Sequence, residues 1–183
     1  MALLPSILSS EHVELRRWSP EFAPSMLLAI EESITELRLW MPWAMEMPTE
    51  EGLSDVLEQG HVRFQADSDW EYALFEHSSD EVVGCAGIHR TEQPKIFEIG
   101  YWVRTSRTGL GVATSATRTL TAAVFEHIEE AEQVIIAMDR ANAASASIPR
   151  KLGFELIGTE DREIVTEGHT GQGLVWALDR PKP

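Results

Sequence analysis

The stretch TGLGVATSATRTL, residues 108–120, decides how the chain folds. Two glycines stand one residue apart at its start, and small residues follow them. From there Val112, Ala116 and Leu120 recur at helical spacing. The pattern predicts a helix that runs from about Gly109 to His127.

The segments on both sides of this helix have the composition of strands. IFEIGYWVR (96–104) precedes it, and QVIIAMD (133–139), a short apolar run typical of a strand buried on both faces, follows it. A strand, a long helix and a second strand form a crossover connection. We therefore expect a parallel strand pair in the middle of a mixed sheet.

The remaining patterns predict one mixed α/β domain over residues 1–183. Ser19 and Pro20 resemble the start of a helix through residue 33, and Thr49 resembles the cap of a second helix, with Leu53, Val56 and Leu57 on its apolar face. Residues 37–48 are expected to form a loop. The other predicted elements are a first strand (13–18), an antiparallel meander (70–76, 81–90 and 96–104), a helix ending at Gly153, and two last strands (154–160 and 173–179).

Composition limits the class of protein. The longest apolar runs, such as VVGCAGI, are too short to cross a bilayer, and the N-terminus has no basic segment of a secretory signal, so we expect a cytoplasmic protein without membrane contact. The net charge of −15 would repel DNA or RNA and attract a cationic small molecule or peptide, although solubility alone would also explain it.

Cysteine and histidine usage indicates no metal centre. The single Cys85 excludes an internal disulfide and a cysteine metal site, and its apolar neighbours predict a buried, inert thiol. The six histidines include no pair at i, i+4, so we expect no metal.

The glycine loop resembles an anion site. A helix N-terminus presents unpaired N–H groups, and Gly109, Gly111 and Ala113 would let a phosphate approach them, with Arg104 and Arg107 adding charge. A P-loop would need Gly-Lys-Ser/Thr, which is absent, and a dinucleotide fingerprint would need a small residue at position 114 and an acid nearer than position 139. An acyl-coenzyme A pyrophosphate loop and a tight turn that only eases packing remain open.

Three segments together resemble the GCN5-related N-acetyltransferases, and within them the ribosomal-protein alanine acetyltransferase (RimJ/RimL) branch. The loop at 108–113 has the family's glycine spacing, although Thr108 stands where the family has a basic or amide residue. NAASASIPRKLGF (142–154) matches a later motif through Asn142, Ser145 and its Lys-Leu-Gly-Phe end. VELRRWSPEFA, WMPW and PTEE match the N-terminal half, so the resemblance covers about residues 13–178.

The resemblance implies acetyl-CoA as cosubstrate and a split between the strands at 96–104 and 133–139. The pantetheine arm would pair with backbone near Trp102, Val103 and Arg104, an N–H near Trp102 or Val103 would polarise the thioester carbonyl, and Asn142 would hold the pantetheine or a water, or cap its helix. The expected contacts of the pyrophosphate are Arg107, Thr108, Gly109, Leu110, Gly111, Val112 and Ala113.

Acyl transfer to an amine needs a base and an acid. Glu98, an acid in an apolar strand, is the predicted base, with an ordinary surface carboxylate as the alternative. The family's usual acid is a tyrosine after the Asn motif, but this chain has only Tyr72 and Tyr101, so Ser145 is the remaining predicted proton donor. No Ser-His-Asp signature is visible, so direct transfer in a ternary complex is expected.

The acyl acceptor should enter beside the segment LWMPWAMEM (39–47). Trp40, Trp43 and Glu46 are predicted to bind it, with Glu163 as a further contact for a cationic substrate, and a core plug is the alternative. A peptide N-terminus, such as that of a ribosomal protein, an aminoglycoside or a polyamine would suit this surface. Detoxification of an amine antibiotic and a non-catalytic acyl-CoA-binding regulator remain alternative functions, and a homodimer is compatible with the sequence.

Overall fold

Eight strands and four α-helices account for the regular structure of residues 4–77 and 79–182, which the computed structural model describes. The strands are β1 (Ile7–Ser9), β2 (Val13–Arg17), β3 (Asp69–Glu76), β4 (Val82–Arg90), β5 (Ile96–Val103), β6 (Gln133–Asp139), β7 (Glu155–Asp161) and β8 (Gln172–Asp179). The helices are α1 (Ala23–Trp40), α2 (Glu50–Gln65), α3 (Val112–His127) and α4 (Ala143–Lys151), and short 3₁₀ turns cover Pro20–Phe22, Pro42–Ala44 and Thr105–Arg107.

All eight strands belong to one mixed sheet in the order β1-β2-β3-β4-β5-β6-β8-β7. The predicted antiparallel meander is confirmed in β3, β4 and β5, and so is the predicted crossover, because β5 and β6 are parallel. Their pairing stops after three residue pairs, the last of which joins Glu98 to Ile135. Beyond that pair the two strands separate, which opens the expected split in the sheet.

The helices cover the two faces of the sheet and divide the core in two. Helix α3 packs on β4 and β5, where Leu120, Ile88 and Phe97 are fully buried in the larger cluster. On the other face α1 packs on β4 and α2 packs on β3. Ile30, Leu57 and Phe75 are buried in the second cluster there. Side chains of this size each contribute about 2 kcal/mol when they leave water, so both faces are firmly held.

Several sequence predictions about the elements are wrong in detail. The patterns do not predict strand β1, and α1 continues to Trp40, so residues 37–40 are helical; Leu37 is buried one turn beyond Ser33 and extends the apolar stripe. Helix α3 begins at Val112 because the φ angle of Gly111 is 85°, in the left-handed region. Ser19 makes no side-chain cap, and Val56 is 46% exposed.

Other local predictions are confirmed. The Thr49 hydroxyl accepts the N–H of Gly52 at 3.1 Å and caps α2. Gly153 follows α4 with a φ of 81°, as expected after a helix end. Cys85 is buried, and burial raises the pKa of its thiol, which keeps it protonated and unreactive.

None of the helices within 4–77 and 79–182 is long and apolar enough to cross a membrane. The same part of the chain brings no three His, Cys, Asp or Glu side chains together in a metal-binding arrangement.

Candidate active site

The glycine loop gives α3 an open N-terminus. Gly109 and Gly111 have φ angles of 76° and 85°, which side chains rarely adopt, and the side chain of Leu110 is directed to solvent. The N–H of Ser115 donates to the carbonyl of Gly111 at 2.9 Å, so the N–H groups of the three preceding residues lie ahead of the helical hydrogen bonds. Backbone donors and the positive end of the helix dipole together favour an anion here.

A cavity of about 460 Å³, the loop cavity, extends from this loop along β5 to α4. It brings together all but two of the residues predicted to bind acetyl-CoA, the exceptions being Arg104 and Leu110. Its lining includes Trp102, Val103, Arg107, Thr108, Gly109, Gly111, Val112, Ala113, Asn142, Ser145 and Lys151. An elongated polyanion with an extended arm fits this shape. The loop supplies N–H donors at one end of the cavity, and β5 supplies strand backbone at the other end.

Neither predicted arginine is a free cation. The Arg107 Nε lies 2.5 Å from the Glu76 carboxylate, and the Arg104 Nε lies 2.6 Å from the Glu32 carboxylate. Arg107 still lines the loop cavity, whereas Arg104 does not, because its side chain points to α1. The loop therefore depends on backbone N–H groups more than the sequence suggested.

Helix α1 holds the turn that carries the loop. Glu32 accepts the N–H of Ser106 at 2.9 Å in addition to the Arg104 guanidinium, and Ser33 accepts the N–H of Thr105 at 2.9 Å. Hydrogen bonds to the Glu32 carboxylate lower its pKa to about 2. The bonds from Ser106 have the largest effect, and the bond from Arg104 adds to it. The carboxylate thus stays charged and fixes the 3₁₀ turn ahead of Gly109.

The free edge of β5 lies beside the loop cavity. Beyond Glu98 the strand has β4 on one side, while the edge toward β6 has no strand partner within the described part of the chain. Trp102 and Val103 lie on this stretch and line the cavity. An extended ligand can therefore pair with this backbone as a strand would.

Two side chains meet across the split. The Tyr101 hydroxyl lies 3.1 Å from the Ser145 Oγ and donates to the Ser145 carbonyl at 3.2 Å. Burial raises the pKa of Tyr101 to about 12, so this phenol stays protonated at neutral pH. Asn142 accepts the N–H of Ser145 at 3.1 Å, which confirms its capping role and fixes the first turn of α4.

A second cavity of about 500 Å³, the aromatic cavity, lies between α1, α2 and the sheet. Met41, Trp43 and Trp102 line it, and the rings of Trp43 and Trp102 are 6.1 Å apart. Its other apolar lining residues include Trp18, Met26, Ile30, Leu53, Val56 and Cys85. The cavity is thus predominantly apolar, with aromatic faces that can also contact a cation.

A smaller cavity of about 220 Å³, the split cavity, shares lining residues with the other two. Tyr101 and Met41 line all three cavities, and Gly100 lines both the aromatic and the split cavity. A thioester that reaches the end of the loop cavity would therefore meet an acceptor from either of the other two.

The predicted base lies near this junction. Glu98 is half-buried on β5, two residues before Gly100 and on the same face of the sheet, and its cross-strand neighbour is His89. Burial raises the pKa of Glu98, while the charges of Arg162 and His89 oppose the rise. The Glu98 side chain lines none of the three cavities.

The predicted acceptor contacts are only partly brought together. Trp40 ends α1 and lines the loop and split cavities, and Trp43 lines the aromatic cavity. Glu46 and Glu163 are exposed, and neither lines any of these cavities. Their contact with the acceptor stays a prediction from the sequence.

Sequence reasoning missed polar residues at the junction. Tyr101 precedes the Asn motif instead of following it, so the sequence gives no reason to choose it as the acid. The pair of His89 and Asp69, with the Asp69 carboxylate 3.3 Å from the His89 Nδ1, has no local signal either. Strand alternation could have placed Asp69, Glu71 and His89 on the face of Glu98, once the register of the meander was known.

The chain matches a family model over residues 12–155, described as an acetyltransferase (GNAT) domain. A curated relative is YdaF of Bacillus subtilis, strain 168, whose name provisionally assigns it as a ribosomal N-acetyltransferase. It is 26% identical over 147 residues, which cover 79% of each chain.

Solved structures have the same fold. RimL, a ribosomal L7/L12 alpha-N-protein acetyltransferase in complex with coenzyme A, superposes with a TM-score of 0.85 at 19% identity, covering 94% of this chain and 97% of that one. MccE, a microcin C7 self-immunity acetyltransferase in complex with acetyl-CoA and AMP, superposes with a TM-score of 0.86 at 17% identity, covering 97% and 98%. The family model extends over most of the chain, and the split sheet and open helix N-terminus agree with it, so the chain belongs to the GNAT acetyltransferase family.

Proposed function

We propose that the chain transfers the acetyl group of acetyl-CoA directly to a primary amine, and that the preferred acceptor is the N-terminal amine of a peptide or protein. The observation that carries this proposal is the meeting of three cavities at Tyr101 and Met41. One cavity suits the donor, and the other two approach its end from the acceptor side. Relatives named for ribosomal-protein acetylation favour a protein amine as the acceptor.

The donor is expected to bind along the loop cavity. Backbone N–H groups of residues 110–113 hold the pyrophosphate, and the free edge of β5 at Trp102 and Val103 pairs with the pantetheine arm. Lys151 at the far wall adds a positive charge. The left-handed backbone of the two glycines supports this assignment, because it turns successive N–H groups toward one point.

The reaction moves two protons off the amine and one onto the thiolate. A protonated amine first loses a proton to a base, for which Glu98 is the sequence-based candidate. The neutral nitrogen attacks the thioester carbonyl carbon, and the C–N bond forms while the C–S bond breaks. The nitrogen loses its second proton as the amide forms, and the leaving thiolate takes one, so one proton is released overall.

The acid that protonates the thiolate is best assigned to Tyr101 together with Ser145. Their hydroxyl oxygens are 3.1 Å apart at the junction of the cavities. The raised pKa of Tyr101, about 12, results first from burial and keeps the phenol protonated at neutral pH, so its O–H is present to hydrogen-bond the sulfur as the C–S bond breaks. Ser145 contacts the phenol through its hydroxyl and its carbonyl, so its role is to orient this donor.

The acceptor cavities favour an amine beside an apolar or cationic group. The aromatic cavity offers about 500 Å³ lined mainly by tryptophan, methionine and aliphatic side chains, enough for the first residue or two of a peptide. The charge of −15 attracts cationic acceptors from a distance.

A thiol-release assay tests the proposal. Acetyl-CoA is incubated with the protein and with short peptides that differ in their first residue, and with aminoglycosides and polyamines as small amine acceptors. We expect release above background with peptides, and mass spectrometry should find one acetyl group on the N-terminal nitrogen. Thiol release with aminoglycosides or polyamines but not with peptides would show that the acceptor is a small amine and not a protein. Acetyl-CoA binding without release for any amine would favour a non-catalytic regulator.

A further inference from the structure

The floor of the aromatic cavity contains a polar cluster. His89 and Glu71 line the cavity from neighbouring strands, and Arg63 of α2 lines it from above. The Glu71 carboxylate is bound to the Arg63 guanidinium at 2.6 Å, which neutralises its charge. The His89 side chain is 39% exposed, so its imidazole is accessible from the cavity.

Asp69 fixes the orientation of this imidazole. Its carboxylate lies 3.3 Å from the Nδ1 of His89, and the two residues are directly opposite each other on β3 and β4. A carboxylate at Nδ1 favours the tautomer with its proton on that nitrogen, which leaves a lone pair on Nε2. The free nitrogen is thus a proton acceptor.

A pair of glycines makes room in front of that nitrogen. Gly87 of β4 and Gly100 of β5 are paired across the strands, and both line the aromatic cavity. A Cβ atom at Gly87 would lie 3.1 Å from the His89 Nε2, and one at Gly100 would lie 3.6 Å from it. The Nε2 therefore lies over a patch of sheet without side chains, next to the Tyr101 junction.

Glu98 flanks His89 on the neighbouring strand, on the side away from Asp69. It is opposite His89 across β4 and β5, it is half-buried, and it lines none of the three cavities. His89 lines the aromatic cavity, so of these two side chains the imidazole is the one in reach of an amine held there.

We propose that His89 is the catalytic base, that Asp69 positions it, and that Glu98 stabilises the imidazolium rather than touching the amine. The inference rests on the proposed amine acetylation. His89 Nε2 takes one proton from the ammonium group of the acceptor, the neutral nitrogen then attacks as described above, and the imidazolium returns its proton to solvent after product release. The charged groups near the imidazole are Asp69 and Glu71 on β3, Glu98 on β5 and Arg63 on α2, and the charges of Arg162 and Glu160 act on Glu98.

Kinetics of single variants test this assignment. His89→Gln should lower kcat about 100-fold or more while acetyl-CoA affinity is unchanged, and its rate should recover as rising pH supplies free amine. Glu98→Gln should lose less than His89→Gln. Asp69→Asn should move the acidic limb of the plot of kcat/KM against pH. If Asp69 only held the fold together, that limb would stay in place. His127→Gln, on the end of α3 away from the site, is the matched control.

Two results would overturn the proposal. One is a His89→Gln enzyme within about threefold of the wild-type kcat, especially if Glu98→Gln is then the inactive variant. The other is an NMR result: the ¹⁵N resonance of the His89 imidazole stays in place when a compound joining CoA to a peptide N-terminus is added. This second readout needs no turnover, so it tests the role of His89 even if every amine acceptor fails. Absence of acetyl transfer by the wild-type protein would instead refute the proposed function.

Discussion

At the scale of single residues, the anion site depends on backbone conformation at Gly111. Its φ of 85° is accessible to glycine, and a Cβ atom there would lie 3.0 Å from the His12 Nε2. Gly111→Val should therefore shift the loop and weaken acetyl-CoA binding by about tenfold or more, because the left-handed conformation costs a side chain about 1–2 kcal/mol. Isothermal titration measures the affinity.

Gly153 offers a matched control for that prediction. Its φ is 81°, no atom beyond its two chain neighbours lies within 4 Å of the point where a Cβ atom would stand, and the residue follows α4 outside the loop cavity. Gly153→Val should lower the melting temperature through the same backbone strain and leave acetyl-CoA affinity unchanged. Equal losses of affinity in both variants would show that general destabilisation, not the loop, explains the result.

The phenol of Tyr101 is the second residue whose role can be isolated. Tyr101→Phe removes the hydroxyl that contacts Ser145 and should lower kcat about 100-fold at constant acetyl-CoA affinity, because the thiolate loses its proton donor. Tyr72→Phe is the control: its hydroxyl donates to the Pro5 carbonyl at 2.8 Å in the core, so this variant should lose stability and keep kcat. Steady-state kinetics that show a fully active Tyr101→Phe enzyme would exclude the phenol as the acid.

At the scale of elements, hydrophobic periodicity and turn signals were sufficient for the central architecture. The crossover of β5, α3 and β6 and the meander of β3, β4 and β5 follow from local patterns, and the structure has both. The short β1 and the end of α1 were missed because three residues carry little periodic signal and because the Trp-rich segment after residue 36 resembles a loop.

The candidate site was less predictable than the sheet. The glycine loop is one contiguous segment, so it was visible in the sequence. Contacts between distant segments could not be predicted, because they depend on strand register and on how far the two strands separate. Tyr101 and Ser145 are 44 positions apart, and His89 and Asp69 are 20 apart, so no local pattern joins them. Glu46 and Glu163, which the sequence offers as acceptor contacts, are exposed and lie outside the three cavities, so their role stays a prediction.

One junction between elements should control donor binding. Glu32 on α1 holds the turn ahead of the glycine loop, and Glu32→Gln replaces its charged bonds to Arg104 and Ser106 by weaker ones. We expect a severalfold rise in the KM for acetyl-CoA with little change in kcat. Glu31→Gln, an exposed neighbour on the same helix, should leave both parameters unchanged, and an equal effect there would point to lost net charge instead.

The same variant has a defined pH dependence. The pKa of Glu32 is lowered from 4.5 to about 2 in the folded chain, so its contribution to stability is present above pH 4.5 and is lost as pH falls toward 2. Thermal melts should therefore show Glu32→Gln less stable than the wild type at neutral pH, with a difference that shrinks through that acidic window. A difference that is independent of pH would mean that ionisation of Glu32 does not stabilise the turn.

At the scale of the whole molecule, the charge balance sets opposite conditions for the two substrates. An acidic count of 30 against a basic count of 15 gives a field that repels a polyanionic donor and attracts a cationic acceptor. Donor binding must overcome this repulsion locally, through the N–H groups at the start of α3 and Lys151. Acceptor binding gains from it, because positive charge downstream of the amine is drawn to the surface around the aromatic cavity.

Ionic strength should separate these effects. With acetyl-CoA saturating, a peptide with two lysines after its first residue should show a severalfold rise in KM as salt increases from about 0.05 to about 0.5 M, since the screening length falls from about 14 to about 4 Å. The same peptide with two glutamates should start with a higher KM that falls over this range, and a neutral peptide should change little. Because the three peptides share their first residue, contacts inside the aromatic cavity are held constant. Parallel salt dependence for all three would show that the acceptor does not sense the acidic surface, and the net charge would then serve solubility alone.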